Sequence, residues 1–277
     1  MRGQQTMLWT GISLLTGLVC LGAVEPQPSK SGQAVLSAEA SGGLDGAPMV
    51  LIPAGPFTMG SNDGLPNERP EHTVTLDVYY IDRYEVTLSL YRKFLESGKR
   101  ESPPTWDEEA ATAVGDRPAI GMRWESAAAY CQWAGKRLPT EAEWEKSARG
   151  SEGGLFPWGQ TAPNPTRAMF GQHHVHEIPI LAAVDSHEAG KSPYGLHHMA
   201  GNVAEWAQDW FGSDYYAYMP ERNPPGPTNG RYKSVRGGSW KSNKIMLRTA
   251  TRGGSAPDQR SATIGFRCAK SSTSTTP

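Results

Sequence analysis

The chain has 277 residues and a formal net charge of -1, so it lacks the basic surplus that marks most nucleic-acid-binding proteins. Its length suits one sizeable domain with appendages. With 31 Gly, 22 Pro and 9 Trp among its residues, it is expected to be rich in turns around a few large aromatic side chains.

The N-terminal segment predicts export. An uncharged run from Met7 to Val24 follows Arg2, which is typical of a signal peptide or a membrane anchor over residues 1–24. Cys20 adds a third interpretation, a lipid-modified cysteine, although Val19 before it is larger than such sites favour. We expect a periplasmic, secreted or membrane-anchored protein that contacts the membrane only through this segment.

Two further segments have the composition of unstructured chain. Residues 25–46 are rich in Pro, Ser and Gly and predict a flexible linker, and residues 271–277 predict a disordered tail. The folded domain is therefore predicted over residues 47–270.

Export also affects the interpretation of Cys131 and Cys268. Two cysteines in an oxidising compartment usually form a disulfide. The alternative is two buried thiols.

Strand and helix patterns alternate through the first half of this domain. The segment Met49–Ser61 reads as two short strands around a Pro-Ala-Gly turn, and His72–Tyr80 alternates like one strand. Thr87 is a predicted N-cap of a helix that ends near Gly98.

Two more helices are predicted before the chain becomes irregular. One lies in "RWESAAAYCQWAG" and ends at Gly135. The next begins at Thr140, and Glu143 three residues later completes a capping box. After Arg149 long loops surround short strands, so the fold class is α+β. Loops of that length are usually functional or held by ions.

An ordered series of motifs carries a family resemblance over residues 47–270. It includes "MVLIPAGPFTMGS", "YYIDRYEVT", "GKRLPTEAEWEKSARG", "PWG", "YGLHHMAGNVAEW", "RGGSW" and "GFRCA". In this order they resemble the formylglycine-generating enzyme, or sulfatase-modifying factor, family. The resemblance implies a loop-rich, C-type-lectin-like variant fold that is often stabilised by calcium. It also implies a disulfide between Cys131 and Cys268.

The catalytic cysteine pair of that family has no counterpart here. The resemblance implies that the pair binds copper and, with oxygen, oxidises a cysteine of a client sulfatase. The corresponding positions are approximately Ser242 and Leu247, and no cysteine occurs from Arg236 to Gly265. A serine hydroxyl cannot replace a thiolate as a soft ligand of Cu(I). We therefore expect no copper-dependent oxidase activity of the known kind.

Other residues of the family pocket are retained. Trp206 and Ser239 resemble residues that line the oxygen and substrate pocket. The alternatives are a core aromatic for Trp206 and a turn residue for Ser239. Trp240 is a further predicted pocket residue. The groove is predicted to be polar and basic and suited to a protein or peptide ligand, which could be anionic, because of Lys241, Asn243, Lys244, Arg248 and Arg252.

Calcium is the predicted cofactor. The stretch Ala200–Trp206 resembles a calcium loop of the family, with side-chain oxygens from Asn202 and Glu205 and carbonyls from Gly201 and Val203. The alternative is an N-cap Asn and a paired Glu at the start of a helix.

Histidines offer a second metal chemistry. His174 and His176 have a spacing that suits two ligands on one side of an extended segment, for copper or iron. The alternative is a polar surface loop.

Three functions remain open from the sequence. The first is a non-enzymatic binding, maturation or assembly module of the cell envelope. The second is a metal-dependent oxidoreductase of the wider family that uses histidine ligands. The third is sulfatase activation by a route without the cysteine pair.

Overall fold

The computed structural model of the protein describes residues 39–40, 43–98, 116–172 and 181–272. Within these ranges the chain forms ten short β-strands and three α-helices, with four 3-10 turns between them. In chain order they are β1 (Glu39–Ala40), β2 (Met49–Ile52), β3 (Gly55–Met59), β4 (His72–Leu76), β5 (Tyr79–Asp82), α1 (Leu88–Glu96), α2 (Trp124–Trp133), α3 (Glu141–Arg149), β6 (Ala204–Trp210), β7 (Lys233–Arg236), β8 (Arg252–Ser255), β9 (Ile264–Gly265) and β10 (Ala269–Ser271).

The strands form three small sheets. One four-stranded sheet has the antiparallel order β1-β2-β5-β10, and β3 and β4 form a separate pair. The other four-stranded sheet has the order β8-β7-β6-β9, in which β6 and β9 are parallel and the remaining pairs are antiparallel. This mixture of short strands, helices and long connections confirms the predicted α+β class.

The predicted helix starts are confirmed. The side chain of Thr87 accepts a hydrogen bond from the Leu90 backbone nitrogen at the start of α1. At α3 the capping box is complete, because Thr140 accepts from the Glu143 nitrogen and the Glu143 carboxylate accepts from the Thr140 nitrogen. These contacts satisfy backbone donors that the first helical turn leaves unpaired.

Two predicted boundaries differ from the structure. The alternating stretch His72–Tyr80 is not one strand, because the chain leaves the β3–β4 pair after Leu76 and enters the first sheet at Tyr79. The predicted linker 25–46 overlaps the domain, since β1 pairs with β2 and Asp45 is a buried partner of Lys136. The end of the predicted linker is therefore part of the fold, and so is Ser271 of the predicted tail.

A disulfide joins Cys131 of α2 to Cys268, just before β10, as predicted. Both cysteines are fully buried in an aromatic cluster that includes Tyr91, Tyr130 and Phe266. The bond therefore fastens α2 to the C-terminal end of the domain. None of the helices in the described ranges is both long enough and apolar enough to cross a membrane.

Candidate functional site

A groove with a volume of about 270 Å³ contacts all four strands of the β8-β7-β6-β9 sheet. Small and hydroxyl-bearing residues dominate its lining, so backbone is accessible along much of its length. The lining residues are Ala204, Val235, Gly237, Gly238, Ser239, Ser242, Met246, Thr251, Arg252, Gly253, Gly254, Ser255, Thr263 and Ile264.

A two-glycine turn shapes one end of this groove. Gly237 and Gly238 have φ angles of 90° and 69°, in the left-handed region that glycine adopts without strain. A Cβ atom on Gly237 would lie 3.0 Å from the Trp144 ring, and one on Gly238 would lie 2.8 Å from the Met246 carbonyl oxygen. Glycine is thus required at this turn by both backbone conformation and space.

Two serines occupy the groove where the family resemblance places redox chemistry. The Ser242 hydroxyl accepts from the Ser239 backbone nitrogen at 2.9 Å, and the two hydroxyl oxygens are 3.4 Å apart. Ser239 also accepts from the Lys241 nitrogen. Ser239 therefore closes a turn and also lines the groove.

Leu247, the second position of the missing pair, does not contact the groove. Its side chain is fully buried in a small apolar cluster with Phe156, Ala168 and Ala200. Since a hydroxyl and a buried isobutyl group are the side chains present, the donor set does not fit a thiolate-bound copper ion.

The arginine that lines the groove is ion-paired rather than free. Arg252 is 2% exposed, and its Nε and Nη2 donate to the Glu141 carboxylate at 2.7 and 2.8 Å. Arg236 Nη1 also donates to the Glu141 carboxylate. Burial alone raises the pKa of Glu141, but the charges of Arg252 and Arg236 outweigh burial and hold that pKa below its usual range.

This ion network is only partly predictable from the sequence. Glu141 is the first residue of α3, as its helix-start pattern predicts. Its carboxylate, however, accepts hydrogen bonds from Arg236 of β7 and Arg252 of β8. Glu141 and Glu145 are four residues apart on α3 and both bind Arg236. Two acidic residues on one helix face, of which only Glu145 has a basic neighbour four residues on, are consistent with a partner elsewhere in the fold.

The other predicted pocket residues lie elsewhere. Trp206 is fully buried in the aromatic cluster around the disulfide, and its Nε1 donates to the Met122 carbonyl, so the core-aromatic alternative holds. Trp240 is also fully buried. Arg248 lines a different cavity and is paired with Glu68. Ala204, two residues before Trp206, is the β6 residue that lines the groove.

The predicted calcium ligands do not fit the ion. The Glu205 carboxylate accepts from Arg267 through both oxygens and also from Trp144. The side-chain oxygen of Asn202 accepts from the Ala182 nitrogen at 2.9 Å.

The amide nitrogen of Asn202 is also hydrogen-bonded. The Asn202 amide nitrogen donates to the buried Glu85 carboxylate at 2.7 Å. Only the backbone carbonyls of Gly201 and Val203 remain from the predicted set, whereas calcium takes six to eight oxygens. Asn202 thus acts as a bridge between segments and Glu205 as a counter-ion.

The predicted histidine ligands fall outside the described residues. His174 and His176 lie there, so nothing in the structure describes them. His187, His197 and His198 lie close together, with 5.2 Å between the ring centroids of His187 and His198. Their contacts are to protein groups, since His198 Nε2 donates to the Ala183 carbonyl and His197 Nδ1 to that of Ser186.

His197 and His198 of this cluster are buried, and His187 is half-buried. His187 and His198 have positive φ angles of 56° and 53°, which are uncommon for a residue with a Cβ atom. Burial, together with the neighbouring His187, lowers the pKa of His198 to about 3. In the part of the chain that the structure describes, no group of three or more His, Cys, Asp or Glu is arranged to hold a metal ion.

Sequence comparison adds a family match to this geometry. The profile described as the sulfatase-modifying factor enzyme 1-like domain matches residues 35–272. The serine/threonine-protein kinase pkn1 of Chlamydia pneumoniae is 38% identical over 242 residues, which cover 80% of this chain. The match covers only 38% of that kinase, so the chain spans about two fifths of its length.

Two further proteins are similar over most of their length. The formylglycine-generating enzyme of Mus musculus is 32% identical over 282 residues, covering 80% of this chain and 74% of the mouse protein. Among solved structures, PvdO from Pseudomonas aeruginosa has a TM-score of 0.71 and 26% identity, with 85% of this chain and 98% of PvdO covered. The predicted C-type-lectin-like variant fold is thereby confirmed.

Proposed function

This chain belongs to the sulfatase-modifying factor enzyme 1-like family, and from that premise we propose that it is an exported binding or assembly module without copper-dependent cysteine oxidase activity. The observation that carries the proposal is the pair of side chains at the catalytic positions. Ser242 offers a hydroxyl, and Leu247 is buried among apolar side chains.

The two cysteines of the folded domain support the same conclusion. Cys131 and Cys268 are joined to each other and fully buried, so neither thiolate is free to hold a metal or to attack a client cysteine. Ordinary redox chemistry of the family would need a pair of thiolates at the groove, and the groove offers hydroxyls and glycines instead.

The proposed ligand is a segment of polypeptide that lies in the groove. Gly253 and Gly254 belong to β8, which is one of the two edge strands of its sheet among the described residues. An edge strand presents unpaired backbone groups that can hydrogen-bond an extended peptide. Because Arg252 is neutralised by Glu141, we favour an uncharged segment over the anionic ligand expected from the sequence.

A peptide that carries the sulfatase sequence Cys-x-Pro-x-Arg tests the proposal. The purified chain is incubated with this peptide, Cu(I), oxygen and a thiol reductant that supplies the two further electrons, and mass spectrometry follows the conversion of cysteine to formylglycine. The mouse formylglycine-generating enzyme serves as the positive control. We expect conversion by the control alone, and conversion by this chain would overturn the proposal.

A second measurement addresses binding itself. Fluorescence anisotropy with a fluorescein-labelled uncharged peptide, TVSVT blocked at both ends, compares the wild type with Gly253→Leu. A Cβ at Gly253 makes only an ordinary contact with the Val235 carbonyl oxygen, so the larger side chain fills the groove without disturbing β8. We expect Gly253→Leu to weaken binding about tenfold, which corresponds to roughly 1.4 kcal/mol. Gly98→Leu, at an open position, is the matched control.

A further inference from the structure

A second cavity, separate from the groove, collects exposed aliphatic side chains. Leu65, Leu155 and Ile245 are 38%, 39% and 56% exposed, and all three line a concave region with a volume of about 480 Å³. They come from three distant segments of the chain, so their meeting is a product of the fold. Clustered exposed apolar groups around a concavity mark interaction sites, whereas single ones do not. We call this region the aliphatic pocket.

The walls of the aliphatic pocket are fixed by buried polar contacts. Arg248 donates to both carboxylate oxygens of Glu68 at 2.8 and 2.6 Å. The loop before Glu68 is packed so closely on this pair that a Cβ atom on Gly64 would lie 1.7 Å from a Glu68 oxygen. The Leu155 carbonyl accepts from the Thr249 nitrogen. The pocket is therefore preformed, and little ordering accompanies binding.

The exposed ionisable side chains that line the pocket are acidic. Of the ionisable residues that line it, Arg248 is neutralised by Glu68 and Arg149 is paired with Glu145. Asp63 and Glu71 also line it, are exposed, and form no ion pair within the described part of the chain. A partner with basic groups beside its apolar side chain would complement this rim.

We propose that the aliphatic pocket docks a segment of a partner protein in which an aliphatic residue is flanked by lysine or arginine. The aliphatic side chain packs among Leu65, Leu155 and Ile245, and the basic flanks face Asp63 and Glu71. The pocket is independent of the groove, because the 3-10 turn Lys244–Leu247 separates them. Ile245 of that turn lines the pocket and Met246 lines the groove.

Synthetic peptides test this docking site on the full chain. Fluorescein-labelled KKLIKK, EELIEE and KKSSKK are titrated against the protein at low salt and followed by fluorescence anisotropy. We expect KKLIKK to bind and each of the other two to bind at least about tenfold more weakly. Equal binding of all three peptides, or no binding of KKLIKK, would overturn the proposal.

Surface variants locate the binding site. Leu155→Ser and Ile245→Ser remove aliphatic groups, and the double variant Asp63→Asn/Glu71→Gln removes the acidic rim. All of these side chains are exposed, so the fold should be retained, and circular dichroism checks this.

We expect each of these variants to weaken KKLIKK binding about tenfold. The control Leu44→Ser changes a leucine that is 78% exposed outside the pocket, and it should leave binding unchanged. If Leu44→Ser weakened binding as much as Leu155→Ser, the pocket would not be the docking site.

Discussion

The guanidinium of Arg267 binds both carboxylate oxygens of Glu205, with Nε and Nη2 each donating at 2.7 Å. Both side chains are fully buried, and the Trp144 Nε1 donates to the same carboxylate at 2.8 Å. The pair joins β6 to the segment between β9 and β10, next to the disulfide. This pairing explains why Glu205, the carboxylate of the predicted calcium loop, is not available to an ion.

Glu205→Gln is expected to lower the free energy of unfolding by about 3 to 5 kcal/mol, because it leaves Arg267 as a buried, unpaired charge. Urea unfolding measures the change. Asp77→Asn breaks an exposed pair with Arg222 and should cost less than about 1 kcal/mol, which makes it a suitable control. A loss below about 1 kcal/mol for Glu205→Gln would show that the pair is not buried as described.

Removal of calcium is expected to leave the stability unchanged. The side-chain oxygens of Asn202 and Glu205 are already hydrogen-bonded within the protein, so no ion should be linked to the folded state through them. Thermal unfolding in excess EDTA and in millimolar calcium should give the same Tm. If the Tm rose with calcium concentration, these ligands would have to rearrange to bind it.

Loss of the disulfide should destabilise the domain strongly. The bond between Cys131 and Cys268 spans 137 residues of sequence, so it restricts a long loop of the unfolded chain. The double variant Cys131→Ala/Cys268→Ala is expected to lose about 2 to 5 kcal/mol of unfolding free energy. Chemical denaturation without reductant measures the loss. A reductant should lower the stability of the wild type and leave that of the variant unchanged.

The stability should fall in acid partly through His198. Burial and the neighbouring His187 lower the pKa of His198 from 6.5 to about 3. Between about pH 3 and pH 6.5, His198 is therefore protonated in the unfolded chain and neutral in the folded chain. The free energy of unfolding is therefore highest above pH 6.5 and decreases as the pH falls towards 3, by up to about 1.4 kcal/mol per pH unit from this group.

The variant His198→Asn isolates this contribution, since asparagine tolerates the positive φ of the position. Urea unfolding at several pH values between 7 and 4 gives the slope for each protein. We expect a shallower slope for His198→Asn than for the wild type. Identical slopes would show that His198 does not titrate on unfolding in this range.

Local chemistry allowed several features to be predicted from the sequence. The N-caps at Thr87 and Thr140 depend on contacts only three residues along the chain, so their residue types suffice. The pairing of Cys131 with Cys268 followed from the family resemblance and from there being two cysteines beyond the N-terminal segment. The α+β class followed from alternating short patterns that needed no knowledge of packing.

The character of the site depended on contacts between distant segments. Ala204 and Trp206 have the same orientation in the alternation of a strand, but the Trp206 ring is enclosed by the aromatic cluster around the disulfide and donates to the Met122 carbonyl. Likewise the charges of Arg252 and Glu205 are each cancelled by a partner far along the chain, Glu141 and Arg267. Sequence alone therefore determined the family and the local elements. The tertiary structure decided which polar groups stay free, because burial forces each charged group to find a partner wherever the fold supplies one.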